Sequence, residues 1–255
     1  MKSIWVIAKN TYREIIRDKI IYSLLVFAII MVGGALALGQ LSFTEQARIS
    51  ANFGLSAIHL SSIIIAIFVG STLVVREIDK QTILSILTLP LNRFAFLLGK
   101  SLGLILIIAS VISGLAVILM LVFWGLGIPI TQAFFVSMFG ILLESIVLMG
   151  LALMFSSFSS SFLVVSFSLG VFLIGHWIEN LNFLAKKSSS SVFLVFAKMS
   201  SFTFPNLEKF NWRDMVLYNQ PIHFTDLAIV TFYGCGWWLL FLVITIIVFR
   251  KKDFA

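Results

Sequence analysis

Val74–Gly103, VVREIDKQTILSILTLPLNRFAFLLGKSLG, is the stretch that decides how this chain is read. Arg76-Glu77-Ile78-Asp79-Lys80 places mixed charges directly after an apolar run. Thr82 to Leu89 follows, apolar at 83, 84, 86, 87 and 89, a spacing that suits one short amphipathic helix. Pro90 stops that helix, because the residue before a proline is pushed away from helical dihedrals. Arg93 comes next, and a second long apolar run begins near Gly99-Lys100-Ser101. A small rigid element with an apolar face and a charged rim thus sits between two long apolar segments.

Outward from this insert the chain is apolar almost throughout. Of 255 residues, 60% are hydrophobic and 11% charged, with a mean hydropathy of +1.09. Soluble domains carry about 25% charged residues, so the composition is that of an integral membrane protein, with residues 1–255 forming one membrane domain. About 20 apolar residues cross a bilayer core as a helix. On that ruler six spans fit: roughly 20–39, 53–75, 101–125, 132–155, 162–178 and 227–249. Gly125, Gly127 and Pro129 break the long uncharged stretch after Lys100, and the serines at 156, 157 and 159–161 mark a polar turn. The expected fold is all-α, with six transmembrane helices and a rather short fifth span. Ala35-x-Ala37 looks like a signal-peptidase site, but the apolar run before it is too long for a signal h-region.

The net charge of +7 reads as a topology signal. With six spans, Arg48, Lys186, Lys187, Lys198, Lys209 and Arg213 fall on one side. The remaining twelve of the 18 Lys and Arg residues fall on the side of the termini. Both termini are therefore expected in the cytoplasm. Nucleic-acid binding would need a Lys/Arg-rich soluble face, which this sequence does not offer. The single cysteine, Cys235, lies in the last span and excludes an intrachain disulfide.

Two further segments lie outside the spans. Residues 1–19 contain an amphipathic helix whose apolar stripe is Trp5, Ala8, Tyr12, Ile15 and Ile16, with Lys9, Arg13 and Arg17 on another face. Such a helix suits the membrane interface, as a plain anchor or as a connecting element that also touches a cytosolic partner. Residues 179–226 form the longest connection and are expected outside. They contain Lys186-Lys187, a serine run at 188–191, the apolar stretch Val192–Phe204, and Pro205-Asn206-Leu207-Glu208-Lys209-Phe210-Asn211-Trp212-Arg213-Asp214.

Glu144 stands near the middle of the fourth span. An ionisable group at that depth costs about 3 kcal/mol on insertion scales, so it is expected to face protein or water. Ser110, Ser113, Ser168 or a second protomer are its expected partners. It either lines a path through the membrane or is a protonated acid bonded to a neighbouring helix. With eight methionines a copper site is conceivable, but His59, His176 and His223 are dispersed and no Met-x-x-Met or His-x-x-Met spacing occurs. No metal site is expected, and no catalytic set gathers in one loop.

Two strings carry a family resemblance. Glu77, Asp79 and Thr82, a short hydrophobic helix, Pro90, Arg93 and Phe96 through Lys100 resemble the corresponding segment of ABC-2-type ABC transporter permeases. So does Pro205-Asn206-Leu207-Glu208-x-Phe210-Asn211 before the last span. The resemblance covers nearly the whole chain. It implies that residues 76–98 are a cytoplasmic coupling segment, with Arg76, Glu77, Asp79, Lys80, Thr82, Pro90 and Arg93 docking on a separate cytosolic ATPase. It implies that Pro205, Asn206, Glu208 and Phe210 belong to an external cap. It further implies an exporter of the cell (inner) membrane, built from two permease copies (identical or closely related) and two ATPase subunits. ATP and Mg would be held by the partner. Gly99-Lys100-Ser101 mimics the end of a Walker A motif, but Phe94 stands where its first glycine is needed and no strand precedes it. No cofactor is expected in this chain. Two alternatives remain: a membrane-embedded enzyme or assembly factor using Glu144, His223 and Asp226 without an ATPase, and an ion-coupled secondary transporter.

Overall fold

A computed structural model describes residues 2–40, 46–79, 93–188, 191–218 and 223–251. Among them the chain is helical. The elements are α1 (Lys2–Ile16), α2 (Lys19–Gln40), α3 (Gln46–Asp79), α4 (Arg93–Gly125), α5 (Gln132–Ser156), α6 (Ser161–Lys187), α7 (Ser191–Thr203), the short 3-10 turn η1 (Leu207–Phe210), α8 (Arg213–Tyr218) and α9 (Phe224–Lys251).

Five described segments are long and apolar enough to cross a membrane: Gln46–Thr72, Phe94–Gly125, Gln132–Ser156, Ser161–Lys187 and Phe224–Val248. In α2 the described apolar part is shorter, Ile21–Gly34. Two expected bounds need correction. The fifth span, read as 162–178, lies in a helix that runs to Lys187, and 179–226 is accordingly not one loop but the end of α6 followed by α7, η1 and α8. The spans were delimited by charge, and Glu179 does not end α6. A charged residue marks where a helix leaves lipid, whereas only backbone breakers end the helix itself, and none occurs between His176 and Lys187.

Helix α5 is the hub. It is apolar on every side and buried along most of its length, as expected of a helix enclosed by others. It packs against α3, α9, α4 and α6. Where α3 crosses it, Gly70 is required: a Cβ there would lie 2.9 Å from the Ala152 Cβ and 3.0 Å from the Met149 carbonyl oxygen. The turn from α4 into α5 is a Schellman motif. Gly127 adopts φ +68°, its N–H donates to the Trp124 carbonyl, and the Ile128 N–H donates to the Phe123 carbonyl. This gives the expected break at Gly125–Pro129 its mechanism.

The N-terminal helix departs from its expected role. Ala8 and Thr11 are fully buried against the start of α4, while Trp5 is exposed. A Cβ at Gly99 would lie 2.9 Å from the Ile4 carbonyl oxygen, and one at Gly103 would lie 2.7 Å from that of Ala8. Two glycines four residues apart thus let the α1 backbone seat directly on α4, as small residues do in membrane helix pairs. The apolar stripe is shared between protein and exterior rather than given wholly to lipid. Gly99, which mimics a phosphate loop in sequence, is here a packing residue.

Candidate functional site

The site is a buried polar chain between α3, α5, α6 and the segment after α7. Glu144 on α5 is 1% exposed. Its partners are not Ser110, Ser113 or Ser168. Ser110 donates to the Ile107 carbonyl, Ser113 is exposed, and the Ser168 hydroxyl has no hydrogen-bond partner. Instead His59 Nε2 on α3 lies 2.8 Å from Glu144 Oε2, and His176 Nε2 on α6 lies 2.9 Å from Glu144 Oε1. The two imidazoles meet edge to face with centroids 5.6 Å apart, and Phe172 packs its ring against both. Two of the three histidines that look dispersed in sequence therefore converge on one carboxylate. The third, His223, is exposed just before α9, near the exposed Asp226.

His176 continues the chain outward. Its Nδ1 lies 2.9 Å from Glu208 Oε2 in η1. Asn211 Nδ2 donates to Glu208 Oε1 at 2.7 Å, Arg213 Nε donates to Asn211 Oδ1 at 2.8 Å, and Arg213 Nη1 reaches Ser56 Oγ on α3 at 3.4 Å. The chain leaves α3 at His59 and returns to it at Ser56. The His176 hydrogen bond, with lesser contributions from Asn211 and Arg213, holds the Glu208 carboxyl below the usual carboxylate range against the opposing effect of burial. His176 thus bridges the two carboxylates, one through each ring nitrogen.

Local structure explains how residues 205–212 reach this depth. Asn206 caps η1 by accepting from the Glu208 N–H, donates through Nδ2 to Glu179 Oε1, and gives its own N–H to Tyr233 Oη at 2.7 Å. Leu207 and Phe210 are fully buried. Each faces a glycine. A Cβ at Gly175 would lie 2.7 Å from Leu207 Cγ, one at Gly234 would lie 3.1 Å from Phe210 Cε1, and one at Gly140 would overlap the Phe210 carbonyl oxygen. Glycines on α5, α6 and α9 thus open a socket for the Pro205–Trp212 segment.

Pro205, Asn206, Glu208 and Phe210 therefore gather with Glu144 in one place. The residues of the coupling segment are elsewhere. The backbone at Arg76, Glu77 and Asp79 forms the end of α3, and Arg93 begins α4. Lys80, Thr82 and Pro90 lie outside the described residues. The sequence reading missed His59 and His176 as partners of Glu144, and a depth signal was present. His59 is 13 residues from the start of α3, Glu144 12 residues from the start of α5, and His176 11 residues from the end of α6. With α3 and α5 parallel and α6 antiparallel to both, these positions share one level.

Residues 5–254 match the family described as ABC-2 family transporter protein. Among curated proteins, the chain is 35% identical over 119 residues to a probable ABC transporter permease protein NosY of Pseudomonas aeruginosa, covering 44% of this chain and 43% of that one. It is 32% identical over 145 residues to a protein of the same description from Stutzerimonas stutzeri, covering 50% and 52%. The matches span about half the length of these relatives.

Proposed function

This chain belongs to the ABC-2 transporter family and is a multi-pass membrane protein, and we propose that it is the permease subunit of an ATP-driven exporter. The observation that carries the reading is the family match across residues 5–254. Relatives described as ABC transporter permeases support it. In this reading α2 joins the five long helices as a sixth span, both termini are cytoplasmic, and the protein sits in the cell (inner) membrane. A second permease copy completes the membrane domain. Two ATPase subunits, which hold ATP and Mg, dock on residues 76–94. This chain itself performs no catalysis and holds no nucleotide. Closure of the ATPase pair pushes the coupling segments and shifts the helices on which they stand.

The helix order supports this division of labour. The start of α4, which follows the coupling segment in sequence, lies against α1. The polar chain and the Pro205–Trp212 segment lie at the opposite end, where a gate toward the outside belongs.

The test is isolation of the tagged protein in mild detergent, with identification of bound proteins and assay of ATPase activity. A stoichiometric soluble ATPase is expected, lost with Glu77→Lys while the permease stays inserted. A stable complex without any nucleotide-binding protein would refute the reading.

A further inference from the structure

We propose that His59, Glu144 and His176 form a binding site for a single divalent transition-metal ion of borderline softness, of which Zn2+ is the type. The donor set carries the inference. Two imidazole nitrogens and one carboxylate oxygen, from three different helices, lie within 4.8 Å of one another. Three protein ligands of the His2Glu type are a recurrent zinc arrangement that leaves one position open. Imidazole with carboxylate suits zinc and its neighbours better than magnesium or calcium, which want oxygen alone.

The surroundings fit as well. A metal-bound histidine donates its other ring N–H to a carboxylate or carbonyl, which fixes the tautomer. His176 has this partner: Glu208 Oε2 sits 2.9 Å from Nδ1, leaving Nε2 directed at Glu144. Metal–ligand bonds of about 2.0–2.1 Å set tetrahedral ligand atoms about 3.3 Å apart. The nitrogens of His59 and His176 lie 2.8 and 2.9 Å from the two different oxygens of Glu144 and all ligand atoms lie within 4.8 Å of one another, so closing around one ion takes shifts of about 0.5 to 1.5 Å. Access is available from the outer side, since the Glu208 side chain is 35% and that of His176 16% exposed, against 1% for Glu144.

The polarity of the site points the same way. Glu144 is buried within a membrane span and is linked through His176 to Glu208, and a carboxylate in such a setting needs a compensating partner, which a divalent cation supplies. Metal binding would release whatever protons His59 Nε2 and His176 Nε2 carry. A metal here would tie α3, α5 and α6 together directly beneath the Pro205–Trp212 segment, and this holds whether or not an ATPase couples to the other end.

The test uses the full-length protein in detergent, carrying an affinity tag free of histidine, stripped with chelator and titrated with Co2+. The wild type is expected to bind about one equivalent per chain, with the visible d–d bands of a four-coordinate site. Zn2+ should abolish those bands by displacement. Glu144→Gln and His59→Gln, which keep hydrogen-bonding capacity, should lose the bands while the protein stays monodisperse. Glu208→Gln should weaken binding roughly 10–100-fold. Wild-type protein that shows no four-coordinate bands at saturating Co2+ would overturn the proposal without reference to any variant. So would Glu144→Gln or His59→Gln variants that bind Co2+ as the wild type does, since the metal would then sit elsewhere.

Discussion

The two ends of this molecule are held together by different physics. At the end bearing the termini, α1 lies on α4 through backbone-to-backbone approach at Gly99 and Gly103, with Ala8 and Thr11 filling the seam. At the other end, the Pro205–Trp212 segment also sits on glycines, at 140, 175 and 234, but it is threaded onto Glu144, His176 and Glu208 as well. The first seam is mostly close packing, with one electrostatic link between Glu14 on α1 and the buried Lys100 on α4, and packing tolerates small sliding. A chain of buried hydrogen bonds does not, because each broken link strands a polar atom in low dielectric. The second end therefore depends on more directional contacts than the first.

The largest effect is expected from Glu144→Ala. It leaves His59 and His176 without their shared acceptor, and removing one partner of a buried charged set costs about 3–5 kcal/mol. Thermal unfolding in detergent, followed by tryptophan fluorescence, should show the loss. A melting temperature equal to that of the wild type would mean that the polar end is no stronger than the apolar one. Gly140→Val comes next, at about 1–3 kcal/mol, because its Cβ would collide with backbone rather than a pliable side chain. Amide exchange should rise across 205–212 and stay unchanged in α1.

Gly103→Val is the mirror experiment. It should cost about 1–3 kcal/mol as well, with exchange rising in α1 and not in 205–212. If either variant loosens both ends, the contrast drawn above fails. If neither does, the two effects should add within about 0.5 kcal/mol in the double variant. The smallest effect belongs to Trp238→Phe. Trp238 Nε1 donates to the buried Ser101 Oγ at 3.1 Å, linking α9 to α4. Its removal should cost about 0.5–1.5 kcal/mol, read as a shift in melting temperature.

Much of this architecture is legible in the sequence, and the exceptions are instructive. Helix α5 was readable from Gln132 to within one residue of its end, because Gly127 and Pro129 break the chain before it and the serines follow it. The depth of Glu144 was readable too. Its partners were not, since His59 and His176 are 85 and 32 residues away and sequence distance says nothing about lateral neighbours. Level along the helix bundle is the quantity that pairs them, and counting residues from the starts of α3 and α5 and from the end of α6 brings it out. The stripe on α1 was readable as amphipathic, but which part meets protein depended on two glycines almost a hundred residues away. The side chains of Arg76, Glu77, Asp79 and Arg93, together with Lys80, Thr82 and Pro90, lie outside the described residues.

Helix α3 has 34 residues and no proline. At about 1.5 Å per residue it is a rod of about 50 Å. Ser56 and His59 sit close to its middle, on the side of Gln46, and Asp79 forms its far end. Such a rod is a lever. A tilt of about 5° around its middle carries each end about 2 Å, more than a buried hydrogen bond can stretch and remain one. Ser56 and His59, about 10 and 5 Å from that middle, move only about 0.9 and 0.5 Å in the same tilt, so a push at Asp79 reaches the polar chain geared down into shifts small enough to adjust its hydrogen bonds without parting them.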